Sequence, residues 1–325
     1  MKSQLLIAID SGKYGTKGVM LYNGKEHYVY FRTKMQEVNK LDIELYPGSY
    51  YVKFNQKSYL IGDMVDESYS NYDLSKENDL HKICVYVAIT ELLKKASLKI
   101  ENVDIRLAVN IPISSYKDGD TKKRYIQFME NYNNTIMIEV NNSPLCFKLE
   151  NVIAVFEGTG SIFHDMKSSI SKNTAIIDIG GLNSTFCQFS GLTPDFNSMI
   201  VANSGVNILK GKVGRAINEK FGIAVTPNDL ELILQQGFLM HQGQILLESH
   251  DIIERIKQSH FDEIINFAKS RNYTFNNTSI QFCGGGSLLL KSIIEKQFPN
   301  ANIVVNPQFA NVKSFLQILK VKNNL

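Results

Sequence analysis

Two short stretches of this chain end an apolar run with a carboxylate and a glycine turn: Leu5-Ile-Ala-Ile-Asp10-Ser-Gly12 near the start, and Thr174-Ala-Ile-Ile-Asp178-Ile-Gly180-Gly181 beyond the midpoint. A buried strand delivers its last residue to a sheet edge, and a glycine there lets backbone N–H groups approach a ligand closely. Carboxylate oxygens are hard donors that hold a hydrated divalent cation, while N–H groups in a tight turn bind phosphate. The pair predicts two half-sites for one polyphosphate and its cation, with Asp10 and Asp178 gripping the cation, Mg2+, through water. Ser11, Gly12, Lys13, Tyr14, Gly15 and Thr16 on one side, and Gly180, Gly181 and Asn183 on the other, are expected around the phosphates. Lys17, on the return strand seven residues after Asp10, is placed to neutralise phosphate charge. Taken singly, each turn also fits an ordinary surface hairpin; their joint occurrence favours the ligand.

Both turns lead into a return strand (Thr16-Lys17-Gly-Val-Met-Leu21 and Asn183-Ser-Thr-Phe-Cys-Gln-Phe189). That order reads as a β-hairpin and disfavours Rossmann and Walker phosphate loops, which join a strand to a helix. A third element, Cys283-Gly-Gly-Gly286-Ser287, lies between a strand and a helix. Gly284, Gly285 and Gly286 offer N–H groups without side-chain bulk, as a purine and ribose lying flat would require; a flexible connection is the alternative. The helix expected after Gly205 carries Asn218-Glu219-Lys220, placed to line a nucleoside site, although a solvated helix face also accounts for Glu219.

The elements that must position these groups read as strands over Leu5 to Ile9, Gly18 to Tyr22, His27 to Phe31, Ser49 to Phe54 and Ser58 to Asp63. After a polar stretch from Glu67 to Asn78, a helix from Asp79 to Ser97 is expected behind an Asp N-cap, then a strand from Ile105 to Pro112, a turn-rich Ser114 to Thr121, and a helix over Lys122 to Asn131. An apolar segment from Val152 ends in Glu157-Gly-Thr-Gly-Ser161. A carboxylate there suits a ligand-facing group and suits a plain strand end equally. Beyond the second hairpin, helices are expected over Gly205 to Phe221, Pro227 to Gln236, Asp251 to Ser270 and Leu288 to Phe298, with strands over Ser279 to Cys283 and Asn302 to Val305. Phe309 to Lys320 is apolar enough to pack back onto the first domain.

The 325 residues suffice for two α/β domains, and 44% hydrophobic with 21% charged residues excludes a disordered chain. A net charge of +3 argues against a nucleic-acid-coating surface, although the Lys122-Lys-Arg124 cluster could meet an acidic partner. Cys84, Cys146, Cys187 and Cys283 are too far apart for a zinc or redox motif and are expected as buried, reduced thiols. No basic-then-apolar leader opens the sequence and no apolar run is long enough to span a bilayer, so a cytoplasmic protein without a membrane partner is expected.

The motif set resembles the actin superfamily, most closely the bacterial plasmid-segregating actins of the ParM/StbA type. Asp10-Ser-Gly12-Lys-Tyr-Gly15-Thr16-Lys17 is similar to the first phosphate motif of these proteins, Asp178-Ile-Gly-Gly-Leu-Asn183-Ser-Thr185 to the second, and Gln281-Phe-Cys-Gly-Gly-Gly286 to the adenosine motif. Tyr59-Leu-Ile-Gly62-Asp63, Asn110-Ile-Pro112 and Pro307-Gln-Phe-Ala-Asn-Val312 resemble further segments in the same order. Lys13 and Tyr14 are bulkier than the small residues often found in the first loop, and Ser314 stands where a glycine is common.

The resemblance implies an actin-like ATPase fold, with two facing α/β domains around a nucleotide cleft: domain I over 1–165, completed by 307–325, and domain II over 166–306. It places Glu157 where these ATPases orient the attacking water. It implies hydrolysis of Mg-ATP, or of GTP, coupled to homopolymeric filaments that move plasmid DNA through a DNA-binding adaptor on centromere DNA, since this chain has no DNA-reading motif of its own. The alternatives are a metabolite kinase of the same fold, which would need a catalytic carboxylate beside a sugar or acyl pocket, and a membrane-linked cell-division ATPase, whose anchor the tail from Phe315 would mimic weakly.

Overall fold

The first apolar run forms strand β1 (Ser3–Ser11), which folds back antiparallel on β2 (Gly15–Tyr22) and from there on β3 (Lys25–Arg32). Leu5 to Ile9 are buried, so β1 has no solvent face. It is a central strand: β7 (Val103–Ile111) pairs with it in parallel on its other side, and β10 (Asn151–Phe156) pairs in parallel with β7. The strand order is β10-β7-β1-β2-β3. The structure is a computed structural model that describes residues 3–41, 43–71, 75–98, 103–164 and 166–324. These residues divide into two compact units, Met1–Glu157 with Asn311–Leu325, and Gly158–Ala310. The domain boundary expected at 165 falls outside the described residues, as does part of the polar stretch before Asn78.

A second, antiparallel sheet in the first unit comprises β4 (Met35–Glu37), β5 (Ser49–Phe54), β6 (Lys57–Gly62), β8 (Ile136–Val140) and β9 (Ser143–Phe147), in the order β4-β6-β5-β8-β9. Helix α1 (Asp79–Lys95) touches β1, β2 and β3 of the first sheet and β5 and β8 of the second. Covered on both sides, it buries Leu80 through Thr90 without a polar stripe. Its N-cap is Asn78, whose side chain accepts from the His81 N–H, and not the expected Asp79, which lies in the first turn.

The β8–β9 hairpin is not anticipated by the sequence reading, although Asn141 (φ 50°) and Asn142 (φ 61°) form the two-residue, left-handed turn that asparagine tolerates. On this edge strand Cys146 lies opposite the exposed Met137 and is itself exposed, so the expectation of buried thiols holds for Cys84, Cys187 and Cys283 only. The segment read as turn-rich is helical: α2 (Ile113–Lys117) starts directly after Pro112, and Asp118 caps α3 (Gly119–Met129) by accepting from the Asp120 N–H.

The second unit repeats the sheet of the first. β11 (Asn173–Ile179) folds back on β12 (Ser184–Ser190) and on to β13 (Thr193–Ala202), while β16 (Ser279–Cys283) and β17 (Asn302–Ile303) extend the other side in parallel. The order β13-β12-β11-β16-β17 matches β3-β2-β1-β7-β10 strand for strand. Around it lie α4 (Met166–Ser169), α5 (Val206–Phe221), α6 (Pro227–Gln236), the hairpin β14 (Leu239–His241) with β15 (Gln244–Leu246), and α7 (Glu248–Lys269). The helix expected from Leu288 is broken at Leu290 into α8 (Gly286–Leu289) and α9 (Lys291–Gln297). The last helix, α10 (Ala310–Lys322), belongs to the first unit from Asn311 onward: Val312, Phe315, Leu316 and Leu319 are buried, and the Arg106 guanidinium donates to the Asn323 side chain. Ser314 is buried there too.

Among the described residues, His260 on α7 is buried with neither ring nitrogen hydrogen-bonded. Burial, reinforced by the Lys212 charge and only partly offset by Glu263, pushes its pKa down from 6.5 to about 4. The unfolded chain therefore takes up a proton that the folded chain refuses between about pH 6.5 and 4, and stability falls as the pH drops through that window by roughly 2–3 kcal/mol. His260→Leu is expected to flatten the slope of melting temperature against pH in that range. An unchanged slope would show that His260 titrates normally in the fold.

Candidate functional site

In the first hairpin, Asp10 lies opposite Lys17 and Ser11 opposite Thr16, which leaves residues 12–15 to make the turn, closed by Gly12 N–H donating to the Gly15 carbonyl at 3.1 Å. Lys17 Nζ stands 3.8 Å from Asp10 Oδ2, so this carboxylate has a cation at hand before any ligand arrives. The hydroxyls of Ser11 and Thr16 turn inward: Ser11 Oγ bonds His81 Nδ1 at 3.0 Å and Thr16 Oγ1 at 3.2 Å, and Thr16 bonds Thr33 at 2.9 Å. All of these groups are fully buried. Ser11 and Thr16 thus offer a ligand their main chain only.

The two bulky turn residues have structural partners. The Arg32 guanidinium lies 3.7 Å from the centre of the Tyr14 ring, donates to the Tyr14 carbonyl at 3.1 Å, and pairs with Glu67 at 2.7 Å. Lys13 Nζ donates to the Ser75 carbonyl at 3.0 Å. Together they brace the turn from outside, where smaller residues would leave it to the hairpin alone.

Glu157 follows the end of β10 and joins the same network. Its N–H donates to the Ile111 carbonyl at 3.2 Å, and Asn110 Nδ2 donates to its Oε1 at 3.1 Å. The other end of the Asn110 amide accepts from the Ser11 N–H at 2.9 Å. The Lys76 ammonium pairs with Glu157 and donates to the Ser11 carbonyl at 2.8 Å. Burial alone would raise the Glu157 pKa, but the Lys76 charge and hydrogen bond, the Asn110 bond and the Lys13 charge outweigh it and hold the carboxyl below its ordinary value. Glu157 is ionised at neutral pH. His81 beneath the turn is neutral, because burial and the Lys76 and Lys13 charges lower its pKa well below 6.5. Sequence reasoning passes over Lys76 and His81: neither sits in a local motif, and their partners are distant along the chain.

The second hairpin repeats the first residue for residue: Asp178 lies opposite Thr185, Ile179 opposite Ser184, and residues 180–183 form the turn, closed by Gly180 N–H donating to the Asn183 carbonyl at 2.9 Å. Here the start of α5 adds a constraint. The N–H groups of Gly205, Val206 and Asn207 donate to the carbonyls of Leu182, Gly180 and Gly181. In a trans peptide the next N–H points opposite to the carbonyl, and no peptide bond among the described residues is cis. The N–H groups of Gly181, Leu182 and Asn183 therefore all point away from α5, an arrangement that concentrates positive potential for an anion. Gly205 is required for this docking, since a Cβ would fall 2.5 Å from the Gly181 carbonyl oxygen and 2.6 Å from the Asn183 nitrogen.

The three glycines after β16 divide their work. Gly284 has φ +80°, and a Cβ on it would strike the Asp178 carboxylate and the Ile179 carbonyl; a Cβ on Gly286 would strike the Ile179 side chain. Close packing on the end of β11 accounts for both. A Cβ on Gly285 meets nothing within 4 Å, so of the three it is Gly285 that borders open space. Gly284→Ala is expected to destabilise the protein by about 2–4 kcal/mol through strain and overlap, and Gly285→Ala by less than about 1 kcal/mol. Thermal melting of the two variants checks this, and equal losses would contradict it. Glu219 is exposed on the solvent side of α5, whose inward face is Val206, Leu209, Val213 and Ile217.

Among the described residues no three His, Cys, Asp or Glu side chains gather as a metal centre. A divalent cation held here would keep waters and phosphate oxygens as most of its ligands, which suits magnesium and a donor set of isolated aspartates. The Lys17 ammonium of the first unit and the Gly181 to Asn183 N–H edge of the second are each a group of the kind that binds an anion. No helix among the described residues is long and apolar enough to cross a membrane.

Residues 8–160 match the family model described as "Actin like proteins N terminal domain". Solved structures extend the likeness to the whole chain and show that it has an actin-like fold. The Alp12 filament structure is 24% identical with TM-score 0.71, covering 99% of this chain and 99% of that one. A 15-stranded ParM filament from Clostridium botulinum is 19% identical with TM-score 0.77, covering 98% and 99%. The archaeal actin homologue Ta0583 in complex with ADP is 15% identical with TM-score 0.75, covering 99% and 100%. Compared with curated proteins, the sequence matches none.

Proposed function

We propose that this chain, actin-like in fold throughout and carrying an actin-like N-terminal domain, is a cytoplasmic protein that binds and hydrolyses Mg-ATP or Mg-GTP and assembles with copies of itself into filaments that segregate plasmid DNA. The observation that carries the reading is the repeated hairpin: two aspartates at equivalent register positions, each beside a four-residue turn closed by the same hydrogen bond. One nucleotide engages both. Asp10 and Asp178 hold its cation through water, the Gly181 to Asn183 N–H edge and Lys17 hold phosphate oxygens, and Gly285 borders the nucleoside. Bound magnesium would offset charge on the transferred phosphoryl group. Glu157, ionised and fixed, accepts a hydrogen bond from the attacking water and aligns it.

Assembly is supported by the filament structures among those the chain resembles, and head-to-tail contacts that do not close yield such polymers. A separate adaptor would read the DNA, since the chain has no DNA-reading motif. The test is phosphate release, light scattering and electron microscopy of the purified protein with Mg-ATP, with Mg-GTP and without nucleotide. Phosphate release together with filaments that depend on a triphosphate is expected. A phosphorylated small molecule with no rise in scattering would point to a metabolite kinase, and pelleting with liposomes in the absence of nucleotide to a membrane-linked protein.

A further inference from the structure

Lys76 precedes α1 and is 4% exposed. An ammonium this deep is stable only where its protons meet acceptors. It has two: the Glu157 carboxylate and the Ser11 carbonyl, the latter at 2.8 Å. The first is the proposed water-aligning group, and the second belongs to the turn that carries Asp10. Asn110 bridges the same two residues from another side, donating to Glu157 Oε1 at 3.1 Å and accepting from Ser11 N–H at 2.9 Å. Both the lysine and the asparagine fall on Oε1 of Glu157. The Glu157 side chain keeps 22% of its surface exposed.

We propose that Lys76 is a positioning residue for hydrolysis, which ties the Glu157 carboxylate to the first phosphate turn so that Oε2 is held in line for the attacking water. The proposal rests on the hydrolysis reading above. Lys76 touches neither nucleotide nor water in this role and acts through Glu157. Asn110 alone leaves the carboxylate free to rotate about one hydrogen bond; the ammonium fixes the second direction and keeps the group charged. A small loss of alignment in such a group lowers the chemical step without weakening nucleotide binding.

The experiment is a cycle of steady-state phosphate release and nucleotide binding on the full chain, with wild type, Lys76→Met, Lys76→Arg, Glu157→Gln and the Lys76→Met/Glu157→Gln double variant. Lys76→Met is expected to lower kcat by roughly 10- to 100-fold with KM and nucleotide Kd within about twofold. Lys76→Arg, able to span the same two acceptors, is expected to recover most of the loss, and the double variant to be no slower than Glu157→Gln. If Lys76→Met does not fold, Lys76→Gln takes its place in the cycle with the same expectations. A rate at or above wild type, a loss in KM in place of kcat, or losses that multiply in the double variant would each overturn the proposal. Wild-type kcat in Glu157→Gln would overturn the role of Glu157 itself, and is read separately from the Lys76 arms.

Discussion

Asp178→Asn is expected to reduce magnesium-dependent nucleotide hydrolysis by at least about a thousandfold, because a carboxylate that anchors a cation's hydration shell contributes several kcal/mol to stabilising charge on the transferred phosphoryl group. The substitution is nearly isosteric. A Cβ on Gly284 would overlap the carboxylate, so the Asp178 side chain lies close against that loop and an amide of the same shape fits the same space. Melting temperature should change little while phosphate release is lost. Asp10→Asn makes the useful comparison, since Asp10 also pairs with Lys17 and its loss sets that ammonium free for phosphate. A smaller fall in turnover is expected there, with tighter retention of the product nucleotide. Wild-type phosphate release by Asp178→Asn would remove it from the cation site.

The two hairpins are legible in sequence because each carries its full specification locally: a run of apolar residues for a strand buried on both faces, a polar residue where the strand meets the edge, and glycine where the chain reverses. The equality of their loops, residues 12–15 and 180–183, then follows from register. The hairpin over Ile136 to Phe147 carries a comparable cue in Asn141-Asn142, but β8 exposes Met137 and β9 contains Pro144 and the exposed Cys146, so the alternation is weak until the partner sheet is known. The triple glycine is a different case. Its composition suggests a flat ligand surface, whereas Gly284 and Gly286 are explained by packing against Asp178 and Ile179. A glycine run alone cannot tell close approach of a ligand from close approach of a neighbouring strand.

Lys76, Asn110 and His81 show the limit of local reading most clearly. Lys76 and His81 are unremarkable in their own segments, Asn110 is marked there only by its neighbours, and each acquires its role from Ser11, 65 to 99 residues away along the chain. What makes them a unit is desolvation: a buried ammonium, a buried amide and a neutral imidazole each bond Ser11 where water does not reach. The helix α1 contributes to this directly. Its burial between two sheets brings His81 under the first turn, and its cap places the preceding residues, Lys76 among them, beside the end of β10.

Glu157→Gln is the second large effect. The variant keeps the side-chain volume and an oxygen that can accept from Asn110, but loses the charge that pairs with Lys76. An amide is a far weaker acceptor toward water than a carboxylate, and a group that aligns and partly deprotonates a nucleophile contributes about 10²- to 10⁴-fold to a rate. Hydrolysis is expected to fall by that range while nucleotide Kd stays within about threefold, since nothing in the proposed role touches the ground-state nucleotide. Breaking a buried ion pair also leaves the Lys76 ammonium short of an acceptor, so melting temperature is expected to fall by several degrees. The two consequences separate in the presence of nucleotide. Under the proposed function, in which assembly follows binding and disassembly follows hydrolysis, filaments should form as in wild type and persist. A variant that binds, assembles and still releases phosphate at the wild-type rate would show that the water is held by some other group, and that the Glu157 network is there for stability alone.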